Sequence, residues 1–299
     1  MINGETSLVG LLGNPVNHSL SPVMHNAALK EMGLNWCYVA MPCETEHLGM
    51  VTEALRQLNY QGLNITIPHK QNILKICDQI SPLAKRLGAA NTLVPNKEGG
   101  WNGINTDIEG FLAPLQTSNW SGQKATVLGC GGSARAVIAG LQHLNFHQIC
   151  VVGRKQNSLK NFVKEMAEKS TEVARNATLI KGLLQDDEKL ALEIKEANLI
   201  VNTTPVGMYS KTSSKELRQE VPIGTRVWEN LQSKTTLYDL IYSPRPTAWL
   251  KLGEENGCKQ IDGLEMLVQQ GAASLKIWSN YDAIPIDVMR RAAQNYLES

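Results

Sequence analysis

From Lys124 to Lys155 an apolar strand, Ala125-Thr126-Val127-Leu128, runs into Gly129-Cys130-Gly131-Gly132-Ser133-Ala134. A helical pattern continues to Leu144, and a second apolar strand follows at Ile149 to Val152. This is the G-x-G-x-x-G/A turn in the context where it carries weight, between a strand and a helix of one β-α-β unit, and it marks a dinucleotide site. Gly129 permits the tight turn, Gly131 lets the backbone approach a pyrophosphate, and Ala134 is small enough for the helix to pack on the strand. Gly132 and Ser133 complete the turn, where free N–H groups and the positive end of the helix dipole suit phosphate.

The end of the second strand separates the two common dinucleotides. An NAD site places an acidic residue there, accepting from the ribose 2′-hydroxyl and repelling a 2′-phosphate. This chain has Gly153-Arg154-Lys155, with no acidic residue from Gly110 through Lys164 and basic residues at Lys124, Arg135, Arg154, Lys155, Lys160 and Lys164. The pattern predicts NADP, with Arg154 the planar partner of the 2′-phosphate and Lys155 a looser charge beside it. The plainer alternative is a solvated turn after a strand.

A chain of 299 residues is long for one core and comfortable for two α/β domains. Its formal net charge of +1, with mixed signs, makes no case for nucleic acid or an anionic membrane. The start, Met1-Ile2-Asn3-Gly4-Glu5, lacks a basic region followed by an apolar core, and no apolar run nears the ~20 residues of a spanning helix. The expectation is a soluble cytoplasmic enzyme. The six cysteines, at 37, 43, 77, 130, 150 and 258, show neither C-x-x-C pairs nor His at ligand spacing, so no metal site is expected. Cys130 lies at a helix N-terminus that could lower its pKa, although an inert filler is the favoured reading.

Upstream of the glycine turn, apolar strands alternate with helix-length segments. Strands fall at Leu8 to Leu12, Cys37 to Met41 and Leu63 to Ile67, and helices at Pro22 to Met32, Glu46 to Leu58 and from His69. Such β-α-β-α alternation predicts a mostly parallel, right-handed open sheet. Asn91 to Pro95 and Gly100 to Ile104 flank Asn96-Lys97-Glu98-Gly99 as a hairpin. Further strands are expected at Thr178 to Lys181, Asn198 to Thr203 and Thr236 to Ile241, a long loop at Ser210 to Ser233, and a helix at Leu264 to Trp278. The expected fold is α/β with two open-sheet domains: a substrate domain over 1–106, a Rossmann domain over 107–262, and C-terminal helices, 263–299, returning to the first domain.

Polar residues near the C-terminal ends of such strands matter, because open α/β sheets bind ligands there. Ser19 and Ser21 stand just before a helix; Ser21 with Pro22 makes a good N-cap pair, whereas Ser19 has no such structural explanation, so a small anion is a candidate ligand. Asn64 and Thr66 interrupt one face of a strand, with Lys70 just beyond. Taken alone, Lys70 reads as a surface lysine. Asn91 and Asp107 reach the same end of the sheet, and a lysine with an aspartate there suits a carbonyl reduction.

His18-Ser19-Leu20-Ser21-Pro22, Asn64 to Lys70, Ala90-Asn91-Thr92, Asn105-Thr106-Asp107, Gly129 to Ser133, Asn202-Thr203-Thr204-Pro205-Val206-Gly207-Met208, Tyr242 with Pro244, and Gly263 to Gln270 together resemble the shikimate dehydrogenases. The resemblance implies NADPH-dependent, reversible reduction of 3-dehydroshikimate to shikimate, on the route to chorismate and the aromatic amino acids. It implies that Lys70 and Asp107 are the catalytic pair. Ser19, Ser21 and Tyr242 become a carboxylate site, and Asn64, Thr66, Asn91 and Gln270 ring-hydroxyl and supporting contacts. Asn202, Thr203, Thr204, Met208 and Gly263 fall on the nicotinamide side. No nucleic acid or membrane partner is implied, and a monomer or homodimer is expected.

Other readings remain open at this level. A quinate/shikimate dehydrogenase must admit an extra ring hydroxyl, and the serines at 19 and 21 favour shikimate. The related methylene-tetrahydrofolate dehydrogenases would have no use for that pair. A non-catalytic, dinucleotide-sensing protein on the same scaffold is the reading of a different class. The chain also departs from the family's common pattern at Gly153-Arg154-Lys155, where Asn-Arg-Thr is frequent, at Trp249, where an aliphatic residue is common, and at Gly271, where alanine is.

Overall fold

A computed structural model of the chain describes residues 2–170, 178–186, 188–208 and 220–299. It contains two compact units, Met1–Gly110 with Glu265–Ser299, and Phe111–Leu264.

In the first unit, β1 (Ser7–Gly13), α1 (Ser21–Glu31), β2 (Trp36–Pro42), α2 (Leu48–Gln57) and β3 (Gly62–Ile65) follow the expected alternation. After them come β4 (Gln79–Ile80), α3 (Pro82–Leu87), and the hairpin of β5 (Thr92–Pro95) and β6 (Trp101–Ile104). The sheet order is β2-β1-β3-β5-β6-β4. β1 is parallel to β2 and β3, and β4 to β6, but the hairpin makes β5 antiparallel to both β3 and β6. A switch point therefore lies between β1 and β3, from which the chain winds in opposite directions, and such points open ligand crevices beyond the strand ends.

The helix expected from His69 is a single 3₁₀ turn, Asn72–Lys75. Ile73 is buried as the periodicity requires, but Asp78 exchanges bonds with Trp101, its Oδ2 accepting the Trp101 N–H at 2.7 Å and its own N–H reaching the Trp101 carbonyl at 3.0 Å. That pairing draws the chain into β4 after one turn. β4 and α3 were not foreseen, although α3 carries plain signals: Ser81 accepts from the Ala84 N–H at 3.2 Å, Pro82 opens the helix, and Gly88 closes it at φ +67°.

The helices α10 (Leu264–Ser279) and α11 (Ile286–Glu298) complete this unit through Glu265–Ser299, with α11 lying along α1. The Trp278 indole donates to the Leu93 carbonyl at 3.0 Å and covers Gly62, where an added Cβ would sit 2.1 Å from Trp278 Nε1. Gly271 has a similar reason: a Cβ there would meet Met24 Cε at 2.7 Å and His25 Cε1 at 3.0 Å.

His25 is wholly buried, stacks on Tyr38 at 4.2 Å between ring centroids, and engages the Ser21 carbonyl through Nδ1 at 2.9 Å. Burial lowers its pKa to about 4. The folded state therefore binds fewer protons than the unfolded chain between the two pKa values. Stability present above pH ~6.5 is lost as pH falls toward about 4, by about 3 kcal/mol in full. Between pH 7.5 and pH 5 the change in urea-unfolding stability is expected to be less favourable in the wild type than in His25→Gln by about 2 kcal/mol, and equal changes would refute it.

In the second unit, α4 (Asp107–Leu112) enters from the first and leads to β7 (Lys124–Leu128), α5 (Gly132–His143), β8 (Gln148–Gly153), α6 (Gln156–Ser170) and β9 (Leu179–Leu184). Beyond these lie α7 (Leu190–Glu196), β10 (Leu199–Asn202), α8 (Thr225–Trp228), β11 (Thr236–Asp239), α9 (Ala248–Glu255) and β12 (Lys259–Ile261). All six strands pair in parallel, in the order β12-β11-β10-β7-β8-β9. This is the doubly wound arrangement, with its switch point between β7 and β10. The expected loop at Ser210 to Ser233 lies partly outside the described residues; its described part contains the short helix α8.

Trp249 is 1% exposed and packs against Trp228 at 5.5 Å, so the indole fills space that a second indole frames. No helix among the described residues is long and apolar enough to cross a membrane.

Candidate active site

The switch point of the first unit brings the segments after β1 and β3 together. The Asn14 N–H bonds the Ile67 carbonyl at 2.9 Å, the Thr66 N–H bonds the Leu12 carbonyl at 2.9 Å, and a Cβ on Gly13 would lie 2.2 Å from Thr66 Cγ2. The serine pair and the Thr66 to Lys70 segment thus share one end of the sheet. β5 starts and β6 finishes at that end, because β5 runs against both its neighbours, and this delivers Asn91 and Asp107 there too.

Lys70 Nζ donates to Asp107 Oδ2 at 2.6 Å, with side-chain exposures of 13% and 4%. An ion pair this buried is costly unless its remaining polar atoms are satisfied. Asn91 Nδ2 donates to Asp107 Oδ1 at 2.9 Å, and Asp107 opens α4, where the helix dipole favours a carboxylate. The Lys70 carbonyl accepts the Ala90 N–H at 2.8 Å, fixing the backbone from which the side chain starts.

Asn91 is the hub. Besides Asp107, its amide reaches Thr106 Oγ1 at 2.9 Å and Gln270 Oε1 at 3.1 Å, while its Oδ1 accepts the Thr106 N–H at 2.8 Å. Asn64 is held by protein on both sides: Oδ1 accepts from Tyr38 at 2.8 Å, and Nδ2 donates to Ser274 at 3.0 Å and the Asn91 carbonyl at 3.2 Å. Sequence reasoning missed Tyr38 and Ser274 and gave Thr92 a place in a motif but no role; the three tie this network together, Thr92 and Ser274 sharing a hydrogen bond of 2.8 Å. The only sequence signal for Ser274 is its place one helical turn after Gln270.

The two serines differ from the capping expectation. α1 begins at Ser21 itself, Leu20 precedes it as N-cap residue without a side-chain cap bond, and Ser19 Oγ accepts the Ser21 N–H at 3.2 Å. The Ser21 hydroxyl, on a residue 5% exposed, makes no hydrogen bond to another described residue. Ser19 shapes the turn, and the Ser21 hydroxyl is left without a partner among the described residues.

In the second unit, Gly129 adopts φ +106°, and a Cβ there would lie 2.6 Å from Thr203 Oγ1. Nothing lies within 4 Å of a Cβ built on Gly131, so that backbone is open to approach, and Ala134, in the first turn of α5, is fully buried. Thr203 donates to the Leu128 carbonyl at 2.7 Å, Thr204 donates to Asn202 Oδ1 at 2.7 Å, and both follow β10 at the switch point. Gly263 packs so closely on the end of β11 that a Cβ would meet the Leu240 carbonyl oxygen at 2.1 Å. Tyr242 also belongs to this unit, past β11.

Four basic residues of this unit fall into two sets. Lys124 starts β7, at the opposite end from the glycine turn, and pairs with Glu196 at 2.5 Å; Arg135 is buried and pairs with Glu165 at 2.7 Å. Arg154 and Lys155 are exposed just past β8 and form no ion pair with a described residue. An open turn, a bare helix N-terminus, two exposed cations and no nearby carboxylate in the chain segment after β8 fit a 2′-phosphorylated dinucleotide. The Cys130 thiol is pushed up by burial, more than Arg135 and Arg154 pull it down, so the helix N-terminus does not lower its pKa.

An all-parallel doubly wound unit with a glycine turn at its switch point, joined in one chain to an α/β unit bearing a buried Lys–Asp pair, defines a dinucleotide-binding protein of the dehydrogenase class. Family models agree: the shikimate dehydrogenase substrate-binding domain matches residues 11–93, and the shikimate 5′-dehydrogenase C-terminal domain residues 263–294. Shikimate dehydrogenase (NADP(+)) of Prochlorococcus marinus (strain MIT 9312) is 48% identical over 297 residues, covering 99% of this chain and 100% of that relative. The enzyme of the same name from Trichormus variabilis (strain ATCC 29413 / PCC 7937) is 46% identical over 300 residues, covering 99% of each. Shikimate 5-dehydrogenase of Thermus thermophilus, solved in complex with NADP(H) and shikimate, superposes with a TM-score of 0.81 at 31% identity, covering 97% of this chain and 99% of that one. The chain belongs to the shikimate dehydrogenase family.

Proposed function

We propose that this protein catalyses the reversible, NADPH-dependent reduction of 3-dehydroshikimate to shikimate, a step toward chorismate and the aromatic amino acids. The observation that carries the reading is the Lys70–Asp107 pair, bonded at 2.6 Å and oriented by Asn91 at the switch point of the first unit. NADPH, when bound, supplies the hydride that reduces the C3 carbonyl.

Negative charge grows on that carbonyl oxygen as reduction proceeds. Lys70 bonds Asp107 through one of its three ammonium hydrogens, and the others are available to stabilise the oxygen and deliver a proton to it. Asp107 keeps the ammonium in place and orients the C3 hydroxyl in the reverse direction. Asn64, Thr66, Asn91 and Gln270 make the ring-hydroxyl and supporting contacts, Asn64 and Asn91 each already tied to protein partners. Gly129, Gly131, Gly132, Ser133 and Ala134 would seat the pyrophosphate, Arg154 with Lys155 the 2′-phosphate, and Asn202, Thr203, Thr204, Met208 and Gly263 the nicotinamide half. On this reading the first unit is the substrate domain and the second the cofactor domain, in a cytoplasmic enzyme acting as monomer or homodimer.

Ser21 and Ser19, with Tyr242 added by family resemblance, take the substrate carboxylate. That group is far from the bond changes and is bound alike in ground and transition states. Ser21→Ala and Ser19→Ala are each expected to raise KM for shikimate by roughly 5- to 30-fold, with kcat nearly unchanged. Steady-state kinetics with shikimate varied would check this, and an equal fall in kcat at constant KM would remove the assignment.

The function itself is tested by initial rates of NADPH formation with shikimate or quinate offered against NADP+ or NAD+. Turnover with shikimate and NADP+ alone supports the reading. Comparable rates with quinate would favour the broader quinate/shikimate enzyme, and NADP+ binding without any turnover a sensing protein on this scaffold. A fold match to the quinate dehydrogenase of Corynebacterium glutamicum in complex with NAD, at 24% identity and a TM-score of 0.82, concerns the scaffold and does not favour quinate.

A further inference from the structure

We propose that Asp239 is a positioning residue for the nicotinamide half of the dinucleotide, holding the Asn202 side chain and, through it, Thr204 in the conformation that shapes the segment from Asn202 to Met208. The proposal rests on the functional reading above, which assigns that segment to the cofactor without explaining what holds it.

Asp239 ends β11 and lies directly across from Asn202, the last residue of β10. Both side chains are fully buried. Asp239 Oδ1 accepts from Asn202 Nδ2 at 3.0 Å and from the Ile241 N–H at 3.1 Å, while Oδ2 accepts from Thr247 Oγ1 at 2.8 Å. The Asn202 amide donates most closely to Asp239 and at 3.4 Å to the Val206 carbonyl, which turns its oxygen to accept the Thr204 N–H at 3.0 Å and the Thr204 hydroxyl at 2.7 Å. Thr204 Oγ1 in turn accepts the Val206 N–H at 3.3 Å. A relay of hydrogen bonds thus runs from the buried carboxylate into the loop.

The choice of a carboxylate is costly to the fold. The three donors to it are neutral, and burial raises its pKa to about 7, against the bonds from Thr247, Ile241 and Asn202; Asp262 adds to the rise. Capping α9 does not require it, because Thr247 already accepts the Leu250 N–H through its own oxygen at 3.3 Å. What the carboxylate adds is a two-acceptor anchor that fixes the Asn202 amide. Thr203 hangs instead from the Leu128 carbonyl through its own hydroxyl, so the glycine-turn side of the site does not depend on Asp239.

That independence gives the test. Calorimetric titration of the full chain with NADP+ and with adenosine 2′,5′-bisphosphate, which lacks the nicotinamide half, separates the two sides. Asp239→Ala is expected to weaken NADP+ roughly tenfold or more while leaving the bisphosphate within about twofold. Asp239→Asn, whose amide oxygen can still accept from Asn202 and Ile241, is expected to retain NADP+ within about threefold. Equal weakening of both ligands in Asp239→Ala would show general damage and overturn the proposal, as would unchanged NADP+ affinity. Should that variant fail to fold, Thr204→Val breaks the relay outside the core, and unchanged NADP+ affinity there overturns the proposal equally. Wild-type protein that binds neither ligand would overturn the functional reading along with it, whereas a failure confined to the variants leaves that reading standing.

Discussion

Replacing Lys70 with alanine is expected to cut kcat by about 10²- to 10⁴-fold with a much smaller change in KM for shikimate. The asymmetry follows from when the interaction matters. A neutral carbonyl oxygen gains little from an ammonium nearby, whereas the oxygen that has received electron density gains a great deal, so the loss falls on the transition state. Lys70→Ala also strands Asp107, 3% exposed, with the Asn91 amide as its remaining side-chain donor, and breaking a buried pair this way costs about 3 to 5 kcal/mol. Lys70→Arg is therefore the more informative companion. It keeps the charge but not the point geometry of Nζ, so it should preserve the melting temperature while kcat still falls. Combining Lys70→Ala with Asp107→Asn should cost little beyond the worse single change, because the two side chains act as one unit. A kcat unaffected by either lysine change would take Lys70 out of the mechanism.

The second large effect concerns the choice of dinucleotide. Arg154→Ala is expected to lower kcat/KM for NADP+ by roughly 10- to 100-fold and to leave the value for NAD+ nearly where it was. A planar guanidinium can meet the 2′-phosphate with two parallel hydrogen bonds, which the Lys155 ammonium cannot, so Lys155→Ala should cost several-fold less. Both residues are exposed, and the wild-type preference for NADP+ should therefore shrink as ionic strength rises. The measurement is the ratio of the two kcat/KM values for wild type and each variant at low and high salt. If Arg154→Ala leaves that ratio unchanged, the segment after β8 is a solvated turn, and the preference is set elsewhere.

The parts of this molecule that could be read in advance were those with a repeating physical signature. The strands β1, β3, β7, β8 and β10 are apolar runs because they are buried along most of their length, and the glycine turn announces itself because phosphate needs bare backbone. Elements decided by a single distant partner were not legible. β12 has three residues, with Lys259 exposed, and exists because β11 offers it an edge. The turn at Asn72–Lys75 stops short because Asp78 meets Trp101. In the candidate site, the motif residues stood out as polar interruptions, yet the division of labour between Ser19 and Ser21 depends on where α1 begins, by one residue. Ser274 reads as an ordinary helix residue until the fold sets it against Asn64. The same holds for Trp249 and Gly271, whose reasons lie in Trp228 and in Met24 with His25.

The hydrogen bond from Asn64 to Ser274 spans 210 positions of the chain. Phe111–Leu264, being continuous, leaves the ribosome with all of its own strands and can close its core while synthesis is under way. Asn64, Thr92 and Gly62 emerge early but acquire Ser274 and the Trp278 cover only when Glu265–Ser299 appears. The half of the protein that is translated first is thus the half that is finished last.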